Sequence, residues 1–134
     1  MITNKWFRGI DDLSLVGSLR KEIFNVGLNN SDLFSWHVVI YLQDKPVGFM
    51  TLAPMNYGEW KIAYLGVCKE YQGQKIGDLL MRLVVLKAEQ ITMEKIYSDI
   101  HPFFEKYGFK KYNDEMLTTN RIILPVYCKH KEGV

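Results

Sequence analysis

Apolar positions along this chain follow two rhythms, one of period two and one near 3.6, and the two alternate from end to end. Residues 5–8 predict a short strand. Leu13, Val16, Leu19, Ile23 and Phe24 then recur at helical spacing. Asp11 or Asp12 is placed to cap that helix, because a carboxylate there accepts a bond from an orphan amide. Gly27 is placed to end it, since glycine tolerates the left-handed cap conformation. Trp36–Leu42 is apolar on both faces, as in a strand covered on both sides. A turn at residues 43–46, with proline fixing φ, leads into a hairpin arm at 47–52. After a turn at 56–58, residues 59–68 predict the third strand of a meander.

Ile76, Leu79, Leu80, Leu83, Val84, Ala88 and Ile91 then form a broad helical stripe. Residues 95–100 predict a strand. Residues 102–107 predict a short helix with proline at its first position and Gly108 at its exit. Residues 109–112 and 121–128 predict a final strand pair, with Pro125 at an edge or bulge. The strand–helix–strand unit from 59 to 100 requires a parallel pair and a right-handed crossover. The expected fold is therefore mixed α/β (α+β): a mostly antiparallel sheet with one central parallel strand pair and helices on both faces.

The 134 residues suit one domain, and a chain of this length buries enough surface to need no disulfide or metal. A net charge of +2, without a concentrated basic run, argues against a nucleic-acid partner. The run Lys129-His130-Lys131 reads as a solvated tail. No stretch approaches the roughly 20 apolar residues that cross a bilayer. Cys68 and Cys128 each lie in apolar stretches, as packed free thiols do in a reducing cytoplasm. No cysteine–histidine spacing suits zinc, so no metal is expected.

One loop stands out. Gln72-Gly73-Gln74-Lys75-Ile76-Gly77 joins a buried strand directly to a helix start. A helix start has four amides without helical partners and a partial positive charge, which suits a phosphate or pyrophosphate. Two glycines allow close backbone approach. The spacing fits neither a Walker A loop nor the dinucleotide pattern.

This hexapeptide resembles the Q/R-x-x-G-x-G/A signature of the GNAT acetyltransferase superfamily. The lead-in Tyr64-Leu65-Gly66-Val67-Cys68-Lys69-Glu70-Tyr71 is similar to that family's strand. Pro102-Phe103-Phe104-Glu105-Lys106-Tyr107-Gly108-Phe109 resembles its P-F-Y-E-K-x-G-F segment. The element order agrees over nearly the whole chain. The resemblance implies acetyl-coenzyme A as cosubstrate, with its pyrophosphate on the amides of Gln72, Gly73, Gln74, Lys75, Ile76 and Gly77. The end of the strand, Leu65, Val67 and Cys68, would pair with the pantetheine arm, and Phe104 and Lys106 would lie against the coenzyme. The amide of Val67 or Leu65 would face the thioester carbonyl and stabilise its developing charge. Transfer would be direct, with Cys68 packed at a strand end rather than acting as a nucleophile.

The chain departs from that pattern in three places. Lys75 stands at the family's central glycine, where a positive φ costs about 1–2 kcal/mol. Phe104 stands where the family has a tyrosine that protonates the leaving thiolate, while Tyr107 reads as core. Lys61 and Ala63 stand where a glutamate base is usual. That leaves Glu59, acting through water, or His101 as base, against their plainer readings as a solvated strand-start glutamate and a histidine before a helix. Asp78, in the first helical turn, is expected to point away from a diphosphate.

The expected function is N-acetylation of a small-molecule or peptide amine by a cytoplasmic monomer or homodimer with no membrane partner. The acceptor pocket is expected from the first helix region and residues 27–35, with Phe34, Trp36, Tyr57 and Trp60 nearby, against the plainer reading of those aromatics as core packing. The alternative is a non-catalytic module that binds or senses acyl-coenzyme A.

Overall fold

The structure, a computed structural model, describes residues 1–125. In chain order the elements are β1 (Ile2–Arg8), α1 (Leu13–Phe24), β2 (Trp36–Leu42), β3 (Lys45–Pro54), β4 (Glu59–Val67), α2 (Ile76–Ile91), β5 (Lys95–Asp99), α3 (Pro102–Glu105), β6 (Lys110–Lys111) and β7 (Met116–Thr119). The strands form one sheet in the order β1-β2-β3-β4-β5-β7-β6. Neighbours run antiparallel except β4 and β5, which are parallel.

Helices cover both faces, as the two-faced apolar pattern of β2 requires. On one face α2, α3 and the segment after α3 pack through Leu80, Met81, Val84, Phe104 and Tyr107 onto Val38, Met50, Leu52, Ile62 and Ile96. On the other, α1 packs through Val16 and Leu19 onto Phe7, Val39 and Phe49. Asp12 caps α1, accepting from the Leu15 amide at 3.2 Å. Asn25, in the left-handed region at φ 55°, ends the helix two residues before the expected Gly27. Asparagine is one of the few side chains that visit this region readily.

Beneath α1 lies a buried polar knot. Arg20 makes two bonds to the Asp32 carboxylate, at 2.7 and 2.9 Å, and both residues are fully buried. The Arg20 guanidinium also donates to Thr51 Oγ1 and lies 3.8 Å from the centre of the Tyr64 ring. This knot ties α1 and the following loop to β3 and β4.

Two turns differ from their sequence expectation. The β2–β3 hairpin turns at Gln43 and Asp44, both at positive φ, and Pro46 lies within β3 beside a register shift. Positive φ at both central residues is the turn whose twist matches a two-residue hairpin. The last strand begins at Met116, not Arg121. The Asn113 side chain accepts from the amides of Glu115 and Met116, both at 2.8 Å, and so closes a tight turn directly after β6. Residues 121–125 carry no strand, and the rest of that expected strand, with Cys128 and the basic tail, lies outside the described residues.

Candidate functional site

The parallel pair β4–β5 holds together over only four positions, from Glu59 opposite Lys95 to Ile62 opposite Ser98. Beyond Ser98 the strands part, and the sheet opens into a fork. A bulge starts the opening. Thr51 of β3 pairs with Tyr64, but the next residue, Leu52, pairs with Ile62, so Ala63 is an extra residue in β4. The bulge resets the alternation, placing Leu65 and Val67 on the α2 face and Tyr64 and Gly66 on the α1 face.

Backbone direction follows from the same register. The Cys68 amide donates to Val47 O of β3 at 2.8 Å. Amides alternate in direction along an antiparallel strand. Those of Gly66 and Cys68 therefore face β3, and those of Leu65 and Val67 face the fork. Among the described residues no strand meets the Leu65 and Val67 amides there. The Gln72 side chain donates to Val67 O at 3.1 Å and holds the next loop against this strand end.

The fork widens into a cleft of about 970 Å³. Its far wall is the start of α2. The first bond of that helix runs from the Leu79 amide to Lys75 O, at 3.1 Å. The amides of Ile76 and Gly77 precede it, where no helical carbonyl reaches them. Gly73 sits at φ 84° with open space where a side chain would project. Lys75 is also left-handed, at φ 63°, the strained conformation expected for a side chain in that position.

Of the sequence-derived candidates, the structure brings Leu65, Val67, Gln72, Gly73, Lys75, Ile76, Gly77, His101, Phe104 and Lys106 to the cleft wall. Gln74 lies in the same turn but does not line the cleft. Cys68 is set back as well: its thiol is 3.7 Å from Pro46 O, and burial with nearby Glu22 pushes its pKa up. A thiol held protonated is a poor nucleophile. Glu59 stands at the opposite end of β4, bonded at 3.3 Å by both Tyr97 and Asn56. At about 3.3 Å per residue it is roughly 13 Å from the fork's vertex. His101 caps α3, its Nδ1 accepting from the Phe103 amide at 3.1 Å. In the neutral ring the proton then sits on Nε2. Asp78 turns toward α3, accepting from Tyr107 at 2.6 Å and from Arg82 at 2.8 Å.

The acceptor-side expectation holds in part. The end of the first helix reaches the cleft, with Phe24 on the wall beside Val26 and Tyr64, but residues 27–35 do not line it. Phe34 and Tyr57 are exposed, Trp36 and Trp60 pack against the core, and none of the four lines the cleft. Gly66 was the available clue. A side chain there would sit 2.5 Å from Ile23 and 2.7 Å from Phe24, so this glycine admits the end of α1 to the rim. Asp99, at the end of β5, also reaches the cleft; its only sequence signal is a charge closing an apolar strand.

The fold has counterparts among solved acyltransferase structures. An acyl-CoA N-acyltransferase from Pseudomonas aeruginosa shares 17% identity at a TM-score of 0.75, over 90% of this chain and 99% of that one. An IAA acetyltransferase from Bacillus cereus shares 14% identity at 0.73, over 88% and 97%. The PaiA N-acetyltransferase of Thermoplasma acidophilum, solved in complex with coenzyme A, shares 14% identity at 0.64, over 88% and 99%. These likenesses establish the fold. No curated protein matches the chain in sequence. The sequence model of the acetyltransferase (GNAT) domain matches residues 34–111, which takes in the fork, α2 and α3. The chain belongs to the GNAT acetyltransferase domain family, and that membership supports acyl transfer from acetyl-coenzyme A.

Proposed function

We propose that this single domain moves an acetyl group from acetyl-coenzyme A directly to an amine nitrogen. The observation that carries the reading is the pair of amides, Leu65 and Val67, directed into a fork that opens beside the start of α2. The cosubstrate supplies an acetyl thioester: the amine lone pair forms the C–N bond, the C–S bond breaks, the sulfur keeps its electron pair, and the amine releases a proton. The Gly73–Gly77 turn fits a diphosphate, because the Ile76 and Gly77 amides precede the first helical bond and Gly73 leaves room for close approach. Lys75 and Lys106 add positive charge at that end of the cleft. The Leu65 and Val67 amides would continue the sheet onto the pantetheine arm and stabilise charge on the carbonyl oxygen.

Proton handling follows from what the side chains already do. His101 can accept at Nε2 only by shifting its proton or giving up its cap on α3. Glu59 reaches the fork only through water. Loss of the amine proton to water, relayed by Glu59 or His101, fits both placements. The thiolate, with an ordinary pKa near 8.5, leaves without the hydroxyl that Phe104 lacks.

Thiol release from acetyl-coenzyme A with a panel of amines tests the reading. Release that depends on an amine, with a rate climbing toward the amine's own pKa near 10, is the expected result. Phe104, and Lys61 and Ala63 in place of a strand glutamate, favour the alternative, a module that binds the coenzyme without turnover. Saturable coenzyme binding with no release on any amine would establish that alternative and overturn transfer.

A further inference from the structure

The reading above leaves the acceptor open, and the α1 face of the fork narrows it. Trp60 and Ile62 turn toward the α2 core, so Glu59 and Lys61, between and beside them, point to the opposite face. Tyr97 lies opposite Lys61 and bonds Glu59, which puts Tyr97 and then Asp99 on that same face. Asp99 follows Ser98, the last residue of β5 paired to β4, and so stands at the vertex of the fork. Its carboxylate is largely exposed and is met by Lys61 Nζ at 3.0 Å.

The diphosphate site at α2 lies on the other face of the sheet. An acceptor attacking a thioester threaded through the fork must therefore arrive from the α1 face. The cleft wall on that side is apolar: Phe24, Val26, Ala63 and the ring of Tyr64. Tyr64 is held rigidly, with the Phe24 ring edge-on at 5.1 Å and the Arg20 guanidinium behind it. The remaining charged cleft residues, Lys75, Asp78 and Lys106, and the His101 ring belong to the α2–α3 side. Asp99 is the only carboxylate of the cleft wall that the α1 face presents among the described residues.

We infer that Asp99 is the acceptor's ammonium anchor, and that the acceptor is an amine with an apolar or aromatic body and no carboxylate beside the nitrogen. The body lies on Phe24, Val26 and Tyr64, and its ammonium displaces Lys61 from Asp99; the bound nitrogen then loses one proton to water to free its lone pair for attack, and a second after the C–N bond forms. Lys61 is thus a competitor that keeps the carboxylate paired until the acceptor arrives. This rests on the transfer reading for the direction of approach.

The probes are 2-phenylethylamine and phenylalanine, which differ by one carboxylate next to the amine. The wild-type protein is expected to favour the amine in kcat/KM by about tenfold, equivalent to about 1.4 kcal/mol. Asp99→Asn, which keeps the shape, raises KM for the amine about tenfold with little change in kcat. Lys61→Met, which keeps the apolar stem, lowers KM for the amine and raises it for phenylalanine. A purely structural ion pair would move both variants the same way, and that result, or none, overturns the inference. Calorimetry of 2-phenylethylamine on coenzyme A-saturated protein separates this site from turnover. Opposite shifts in affinity without thiol release keep the anchor and refute transfer. Thiol release without such shifts refutes the anchor, and the absence of both amine binding and thiol release refutes both.

Discussion

The Tyr107 hydroxyl donates a 2.6 Å hydrogen bond to Asp78 Oδ1, fastening the segment after α3 to the first turn of α2. Tyr107 is fully buried, and Arg82 holds the other carboxylate oxygen. A negative charge beside a diphosphate site is unfavourable, and these two donors turn it aside and offset it. This contact joins the packing of Phe103 against Gly77 in setting the spacing of the two helical walls of the cleft.

Tyr107→Phe removes that donor without changing shape. The expected loss is about 1.5–3 kcal/mol, the range for a hydrogen bond to a charged group. Denaturant unfolding measures it. Coenzyme A affinity should fall with it, because Phe103, which packs on Tyr107, also stands against Gly77 at the cleft floor.

Gly77→Val acts at that same floor. Even the first carbon of a side chain there would sit 3.2 Å from the Phe103 ring, so the larger residue pushes the ring into the cleft. The thermal shift that acetyl-coenzyme A gives the wild-type protein should disappear, while the protein without ligand unfolds in one cooperative transition.

Lys75→Gly separates backbone from charge. Glycine relieves the strain of φ 63°, worth about 1–2 kcal/mol. It also removes an ammonium from the proposed diphosphate site, where charge-assisted bonds would contribute about 1.5–3 kcal/mol. Coenzyme A affinity should therefore drop about tenfold or more and become less sensitive to salt. Titration at two ionic strengths checks both.

His37 makes the fold sensitive to acid. It is buried between Phe7 and Phe49, with Nε2 at 2.9 Å from Asp32 O and Nδ1 at 2.9 Å from Thr51 Oγ1. A donor to the carbonyl and an acceptor from the hydroxyl make a neutral ring. Burial lowers its pKa, outweighing the opposing pull of Asp32, and Arg20 and Arg8 lower it further. The unfolded chain then binds a proton that the folded one refuses. Stability is full above the ordinary value near 6.5 and falls as pH drops below it, by up to about 1.4 kcal/mol per unit. Asp32 contributes in a separate window. Burial would raise its pKa, but the Arg20 bonds, the Asn29 amide and the nearby charges outweigh that and lower it, so its contribution is lost only below the ordinary carboxylate range. Urea midpoints at pH 5 and pH 7 should differ, and His37→Gln should shrink that difference.

How far the sequence carries this picture depends on the range of each interaction. Helix α2 and strand β2 were legible because their apolar periods are long and regular. The Gly73–Gly77 turn was legible because its chemistry is local. The shift of the last strand to Met116 was missed because one side chain, Asn113, decides it. The bulge at Ala63 leaves no local mark, yet it determines which face Tyr64 and Leu65 present. Phe24 and Val26 come to the cleft from the end of α1 and the loop after it and Asp99 from the end of β5, and only the packing of α1 over Gly66 and the parting of β4 from β5 brings them together. Glu59 looked near the reacting centre by alternation alone, although length along the strand separates it.

The fork has a consequence for handling the protein. The Leu65 and Val67 amides form a strand margin in the interior of the sheet that no strand meets among the described residues, and such margins recruit extended chains. A coenzyme arm laid along Leu65 and Val67 would cover it. Ligand-depleted stocks should accordingly form soluble aggregates in light scattering sooner than stocks kept with coenzyme A.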